Sequence, residues 1–165
     1  MYNILIVDDE PIILSGIKFL INWEKNDCTI MDTARNGREA LEKIRACQPD
    51  IILCDIKMPV MDGLELLKQV NEEYPSIVFV MLSNLQEFQA AKEAISNRAV
   101  EYLLKSQLEP ELLEDALNKA KKEASHRSAL IQADRIQYYD TVRQKELIQN
   151  ACMELLFSPD VTSET

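Results

Sequence analysis

Over its first three quarters the chain alternates between two hydrophobic rhythms. Short apolar runs fit for buried strands give way to longer stretches that are apolar every third or fourth residue. Ile4–Val7 is rich in β-branched residues and apolar on both faces, as a central parallel strand must be. After Pro11, a residue suited to a first helical turn, Ile13, Ile17, Leu20 and Ile21 recur at helical spacing. Cys28–Ala34 is a second strand, and Asn36-Gly37 a turn. A helix follows with Ala40, Leu41, Ile44 and Cys47 on one face. Pro49 ends it, and Asp50 leads into a third strand, Ile51–Cys54.

The alternation then continues. Asp62 caps a helix that turns Leu64, Leu67 and Val70 inward and stops at Pro75. "SIVFVML" from Ser76 is a fourth strand, and "QEFQAAKEAISN" from Gln86 a helix with Asn97 as a left-handed C-cap. "AVEYLLK", ending at Lys105, is a short fifth strand. Glu109-Pro110-Glu111 opens a last helix with acid in its first turn, which suits the helix dipole. Five strand–helix repeats with short, right-handed connections predict an α/β fold: one five-stranded parallel sheet, doubly wound, covered on both faces.

Beyond about Ala124 the strand-like runs cease. No Pro or Gly occurs until Pro159, which predicts a long helical extension over 125–157. Ile131, Tyr138, Val142, Ile148, Cys152 and Leu155 form a thin apolar seam on it. Arg135 and Lys145 interrupt the seam, so no strict heptad is supported. Such a helix packs locally or pairs with another chain, and it is a candidate dimerisation helix. Residues 158–165 read as a frayed tail.

Composition narrows the function. A net charge of −10 makes free nucleic acid a poor partner for this segment. The longest apolar runs are far short of a membrane span, so no membrane role is expected. "MYNILIVDDE" has no basic n-region and no long apolar core. It is not a signal peptide, and a cytoplasmic location follows by default. Four cysteines without a C-x-x-C pair and a single histidine argue for reduced, packed thiols over a zinc site. Three glycines leave no phosphate-cradling loop.

The chemistry lies where the strands end. Asp8-Asp9, Asp55, Ser83 and Lys105 stand at the carboxyl ends of four strands, where such sheets bind ligands. Alone, Asp8-Asp9 reads as a helix cap, Asp55 as a turn residue and Lys105 as a solvated strand end. Together they make a pocket of three carboxylates that a hard divalent cation relieves, and Mg2+ suits it best. Lys105 adds a fixed positive charge and Ser83 a hydroxyl. A metal, a lysine and a hydroxyl around one carboxylate is what phosphoryl transfer needs, with Asp55 as nucleophile.

From Met1 to about Ala124 the chain resembles the receiver domain of bacterial two-component response regulators, the chemotaxis-regulator-like fold. The residues that carry the likeness are Asp8-Asp9-Glu10, "DIKMPVMDG" from Asp55, Ser83, and "YLLK" ending at Lys105. The resemblance implies a flavodoxin-like strand order of 2-1-3-4-5. It implies Asp55 as phosphoacceptor, with Asp9, Asp55 and the Lys57 backbone carbonyl on Mg2+ and Asp8 assisting through water. It implies Ser83 and Tyr102 as a switch pair, a sensor histidine kinase as donor, and dimerisation through the fourth helix, fifth strand and fifth helix or through the C-terminal helix. "LLKSQLEPELLEDAL" is similar to regulators that carry an arabinose-regulator-type helix-turn-helix domain. That domain is absent from this chain, so a segment of a longer, DNA-binding transcription regulator is expected.

Three positions depart from the family pattern: Ser106 where proline is usual, Asn84 where glycine or alanine is usual, and Asn97-Arg98 in place of a glycine-containing turn. With Lys57, Asn84 predicts slow phosphoryl exchange. Two other functions compete. An aspartyl-phosphate phosphatase of the haloacid-dehalogenase type would need a second Asp where Lys57 stands. A degenerate receiver, serving as a binding scaffold, would not need the full set of acids. The expectation is therefore a signal receiver, not an enzyme.

Overall fold

The computed structural model describes residues 1–84 and 88–157. Five parallel strands alternate with helices: β1 (Tyr2–Val7), α1 (Pro11–Leu20), β2 (Cys28–Ala34), α2 (Gly37–Cys47), β3 (Ile51–Asp55), α3 (Gly63–Glu73), β4 (Val78–Ser83), α4 (Phe88–Ser96), β5 (Glu101–Leu104) and α5 (Pro110–Phe157). They form one sheet in the order β2-β1-β3-β4-β5, as expected. The chain divides into two units, one through Ser128 and the other from Ala129.

Period-two alternation sorts the strand side chains onto two faces. Ile4, Ile6, Ile51, Leu53, Val78 and Val80 face α1 and α5, where Leu14, Ile17, Leu113, Leu117 and Ala120 meet them. Leu5, Val7, Ile52, Cys54, Phe79 and Met81 face the other layer, built by Ala40, Leu41 and Ile44 of α2, Leu66, Leu67 and Val70 of α3, and Ala94 of α4. Both faces are dry, so β3 is buried over its whole length, and burial ends where the strand ends.

Several local expectations need correction. Asn36 is not a turn residue but the N-cap of α2, its side chain accepting from Glu39 N at 2.9 Å. Cys47 is exposed, because it falls in the last turn, where α2 leaves the sheet. In α3 Leu67 and Val70 are fully buried as expected, but the third such position is Leu66, and Leu64 only packs at the edge. After α4 the left-handed residue is Arg98 (φ 67°), not Asn97. Arg98 N bonds Ile95 O and Ala99 N bonds Ala94 O. This is a Schellman-type end with Arg98 at the position glycine usually takes.

The Asp62 cap holds, accepting from Glu65 N at 2.8 Å. Gln86 and Glu87, assigned to the start of α4, and the tail 158–165 lie outside the described residues, as does the Leu155 side chain. No cis peptide bond occurs among the described residues. Along the extension Ile131 and Val142 are half-buried, while Tyr138, Ile148 and Cys152 are exposed. None of the described helices is long and apolar enough to cross a membrane.

Candidate functional site

The strand order reverses between β1 and β3, and the crevice at their carboxyl ends gathers the acids. Val7 pairs with Cys54 across this seam, so Asp8 and Asp55 leave their strands side by side. Asp8 is fully buried and accepts from Glu10 N at 2.9 Å; it is an anchor of the β1–α1 turn and not a helix cap. Asp55 ends β3 and is 4% exposed. Asp9 is half-buried beside them. Each of the three offers an oxygen, and these oxygens all lie within 4.8 Å of one another.

Lys105 closes the site from the end of β5. Its ammonium is 2.7 Å from Asp8 Oδ2, 3.0 Å from Asp55 Oδ2 and 3.3 Å from Glu10 Oε1. The side chain is 5% exposed, so this lysine is not a solvated strand end. Glu10 was not among the expected site residues; the only sequence signal for it is the third acid in the "DDE" run. Ser83, fully buried at the end of β4, is in hydrogen-bond contact with the hydroxyl of half-buried Tyr102 and donates to Asn84 O at 3.3 Å. Lys57 is exposed in the loop after β3. The structure thus brings Asp8, Asp9, Asp55 and Lys105 into one cluster and joins Ser83 to Tyr102.

Two hydrogen bonds and a glycine shape the loop that follows Asp55. Gly63 N donates to Ile56 O at 2.7 Å and Gly37 N to Met61 O at 3.0 Å. A Cβ on Gly63 would lie 2.0 Å from the Asp55 carbonyl oxygen, so only glycine lets α3 begin this close to the acid. Within the loop Val60 has φ 70°, the left-handed region that a β-branched residue rarely enters.

The charges are visibly crowded. Burial and then the Asp8 carboxylate push Asp55 up to about 6, against the pull of Lys105. Burial also raises Asp8, opposed by Lys105. Burial opposes charging of Lys105, but its close ionic contacts with the Asp8 and Asp55 carboxylates win and hold its pKa above the ordinary value. Three carboxylates and one ammonium leave two formal negative charges in a nearly dry crevice. The Asp8 Oδ2 contact with Lys105 is ionic without the alignment of a hydrogen bond, so this buried oxygen keeps an unused lone pair. Hard oxygen donors, excess negative charge and a buried oxygen lacking a hydrogen bond fit a divalent cation.

The chain is similar to known proteins in sequence and in fold. The response regulator receiver domain family matches residues 4–118. The transcriptional regulatory protein YesN of Bacillus subtilis is 44% identical over 130 residues, covering 77% of this chain and 35% of YesN. The receiver domain of AraT, a response regulator from Geobacillus stearothermophilus, superposes with a TM-score of 0.71 at 34% identity, covering 77% of this chain and 98% of that one. A two-component transcriptional regulator AraC from Clostridium phytofermentans gives 0.72 at 31% identity, covering 78% of this chain and 99% of that one. The chain spans from 35% to 47% of the length of the first curated relatives it matches. By sequence, strand order and the likeness of its relatives, the chain belongs to the response regulator receiver domain family, alongside regulators of the arabinose-regulator type.

Proposed function

We propose that this chain receives a phosphoryl group on Asp55 from a sensor histidine kinase, and that in a longer protein this controls transcription. The observation that carries the reading is the placement of Lys105 between Asp8 and Asp55 at the carboxyl edge of the sheet. Asp55 is the nucleophile. A lone pair of its oxygen forms the new P–O bond as the P–N bond to the donor imidazole breaks, and the imidazole nitrogen leaves with the P–N bonding pair. Lys105 balances charge on the phosphoryl oxygens, and the Ser83 hydroxyl donates to one of them.

Receiver domains bind Mg2+ at an aspartate cluster of this kind. Asp9, Asp55 and the Lys57 carbonyl are the proposed direct ligands, with Asp8 held through water. When bound, the ion supplies charge neutralisation on the transferring group. The unused lone pair of Asp8 and the raised Asp55 pKa support this assignment.

The output is a population shift. Ser83 exchanges its contact with Tyr102 for the phosphoryl oxygen, and the Tyr102 ring turns inward. Tyr102 also lines a groove of about 480 Å³ with Ala91, Leu103, Leu104, Leu112 and Lys119. The face of α4, β5 and α5 is therefore where the change would be read and where dimers would form. A DNA-binding role belongs to the longer protein, by analogy with its relatives. The domains that follow from this reading are a receiver over 1–124 and a linker helix over 125–157. Turnover of phosphate esters is not proposed, because Lys57 stands where a dehalogenase-type phosphatase needs its acid.

Intact mass after incubation with acetyl phosphate and Mg2+, beside Asp55→Ala, tests the reading. One added phosphoryl group on the wild type and none on the variant is expected. No mass shift on the wild type would favour the scaffold instead.

A further inference from the structure

The inward stripe of α5 runs through Leu113, Ala116, Leu117, Ala120 and Ala124. Its next position is Arg127, which is only 7% exposed. A buried guanidinium persists only with its donors satisfied, and here all three nitrogens are. Nε donates to Glu123 Oε1 at 2.7 Å, Nη1 to Ile77 O at 3.0 Å and Nη2 to Arg98 O at 3.0 Å. Glu123, one turn earlier on the same helix, orients the planar fork.

The two carbonyls belong to different kinds of segment. Ile77 is 3% exposed and immediately precedes β4, at the centre of the core. Arg98 is the exposed left-handed residue between α4 and β5. That second segment is thinly packed: Ala94 is the one buried side chain of α4 among those described, against three in α2 and three in α3 apart from their first glycines. Its carboxyl end is held by polar contacts, Asn71 Nδ2 to Asn97 O at 2.5 Å and Lys68 to Glu93. Elements with few buried apolar contacts shift most readily. β5, which follows at once, carries Tyr102.

We infer that Arg127 is a positioning residue that couples the α4–β5 turn to the outgoing helix α5, fixing the last anchored turn of α5 to one arrangement of that turn. One fork of the guanidinium grips the fixed core, and the other grips the segment that moves. A displacement of the Arg98 carbonyl breaks or remakes a charge-assisted bond on the last turn of α5 before the second unit begins at Ala129. The inference rests on the switch proposed above for Ser83 and Tyr102.

Hydrogen–deuterium exchange on the full chain, with and without Mg2+ and beryllofluoride as a phosphoryl mimic, tests it. In the wild type, exchange is expected to change at least threefold both in the α4–β5 turn and in α5 from Lys121 onward. In Arg127→Lys, which keeps the charge but loses the fork, the turn should still respond while the α5 response falls below a third of the wild-type value. Arg127→Met should do the same, and Glu123→Gln, which leaves both carbonyl bonds available, should retain the response. An α5 response in Arg127→Lys equal to wild type, with the turn still responding, overturns this inference alone. No wild-type response in the turn overturns it together with the switch reading.

Discussion

Among the described residues, Val60 holds the backbone conformation least suited to its side chain. Of the four described non-glycine residues with positive φ, Asp27, Gln48 and Arg98 close helices, where such geometry is ordinary; Val60 alone is β-branched. It is also 72% exposed, so packing returns little for the strain. Left-handed geometry costs an L-residue roughly 1–2 kcal/mol, and glycine's extra unfolded-state entropy offsets part of that. Val60→Gly is therefore expected to stabilise the protein by about 1 kcal/mol in urea unfolding. Lower stability would mean that the loop is not strained there. At Asp55 the strain is electrostatic. Its pKa of about 6 lies above the ordinary 3.8, so the folded state binds the proton more tightly than the unfolded chain does. That contribution is fully present below about pH 4 and is lost as pH rises through about 6. Asp8 acts in the same direction, whereas Asp32 and Glu39, whose pKa values are lowered, act only at lower pH. In EDTA the melting temperature should fall between pH 5 and pH 7.5, and Mg2+ should flatten that fall. Asp55→Asn should raise metal-free stability at pH 7.5 by about 1–2 kcal/mol. A wild-type melting temperature that rises over this range in EDTA would contradict the crowding. The carboxylates and Lys105 were legible in the sequence because strand ends are fixed by hydrophobic runs. Glu10 is legible only as the end of the acidic run and Arg127 not at all, because nothing in their neighbours along the chain marks what they reach across it.

At the scale of elements, all five strands and five helices follow from hydrophobic period, and the departures lie at their ends. Helix ends are decided by one residue's φ, which is why Arg98 and not Asn97 took the left-handed position. The β1–β2 ladder skips Met31 between Ile4 and Leu5, a shift that the apolar pattern of β2 does not encode. Asn36 serves as a cap because its side chain finds Glu39 N, a choice between turn and helix that the dipeptide alone leaves open. The junction most sensitive to change is the start of α3. A methyl on Gly63 would meet backbone at Asp55 and Cys54 Sγ at 3.1 Å, with no flexible side chain able to yield to the carbonyl. Gly63→Ala is expected to cost on the order of 3 kcal/mol or to displace β3 from α3. Either result should weaken the Mg2+-induced thermal shift. By contrast Gly16, with nothing near its Cβ, should accept alanine with a small gain.

For the molecule as a whole, charge governs association. Each copy carries −10, so two copies approaching through any face repel at long range. If the activated chain dimerises, its association should strengthen as salt rises from about 20 to 200 mM, since screening weakens the repulsion within a Debye length of about 8–20 Å. Sedimentation velocity with Mg2+ and beryllofluoride measures this, and association that weakens with salt would point instead to an interface built on ion pairs. The sheet has a further consequence. It separates two dry layers, and each layer holds one buried thiol: Cys28 among the residues facing α1 and α5, Cys54 among those facing α2 and α3. Burial raises the pKa of both, whereas Cys47 and Cys152 are exposed. The protein thus contains its own pair of chemical clocks. The rates at which Cys28 and Cys54 become alkylated time the opening of each side of the sheet separately, and equal rates would mean that the two layers come apart as one.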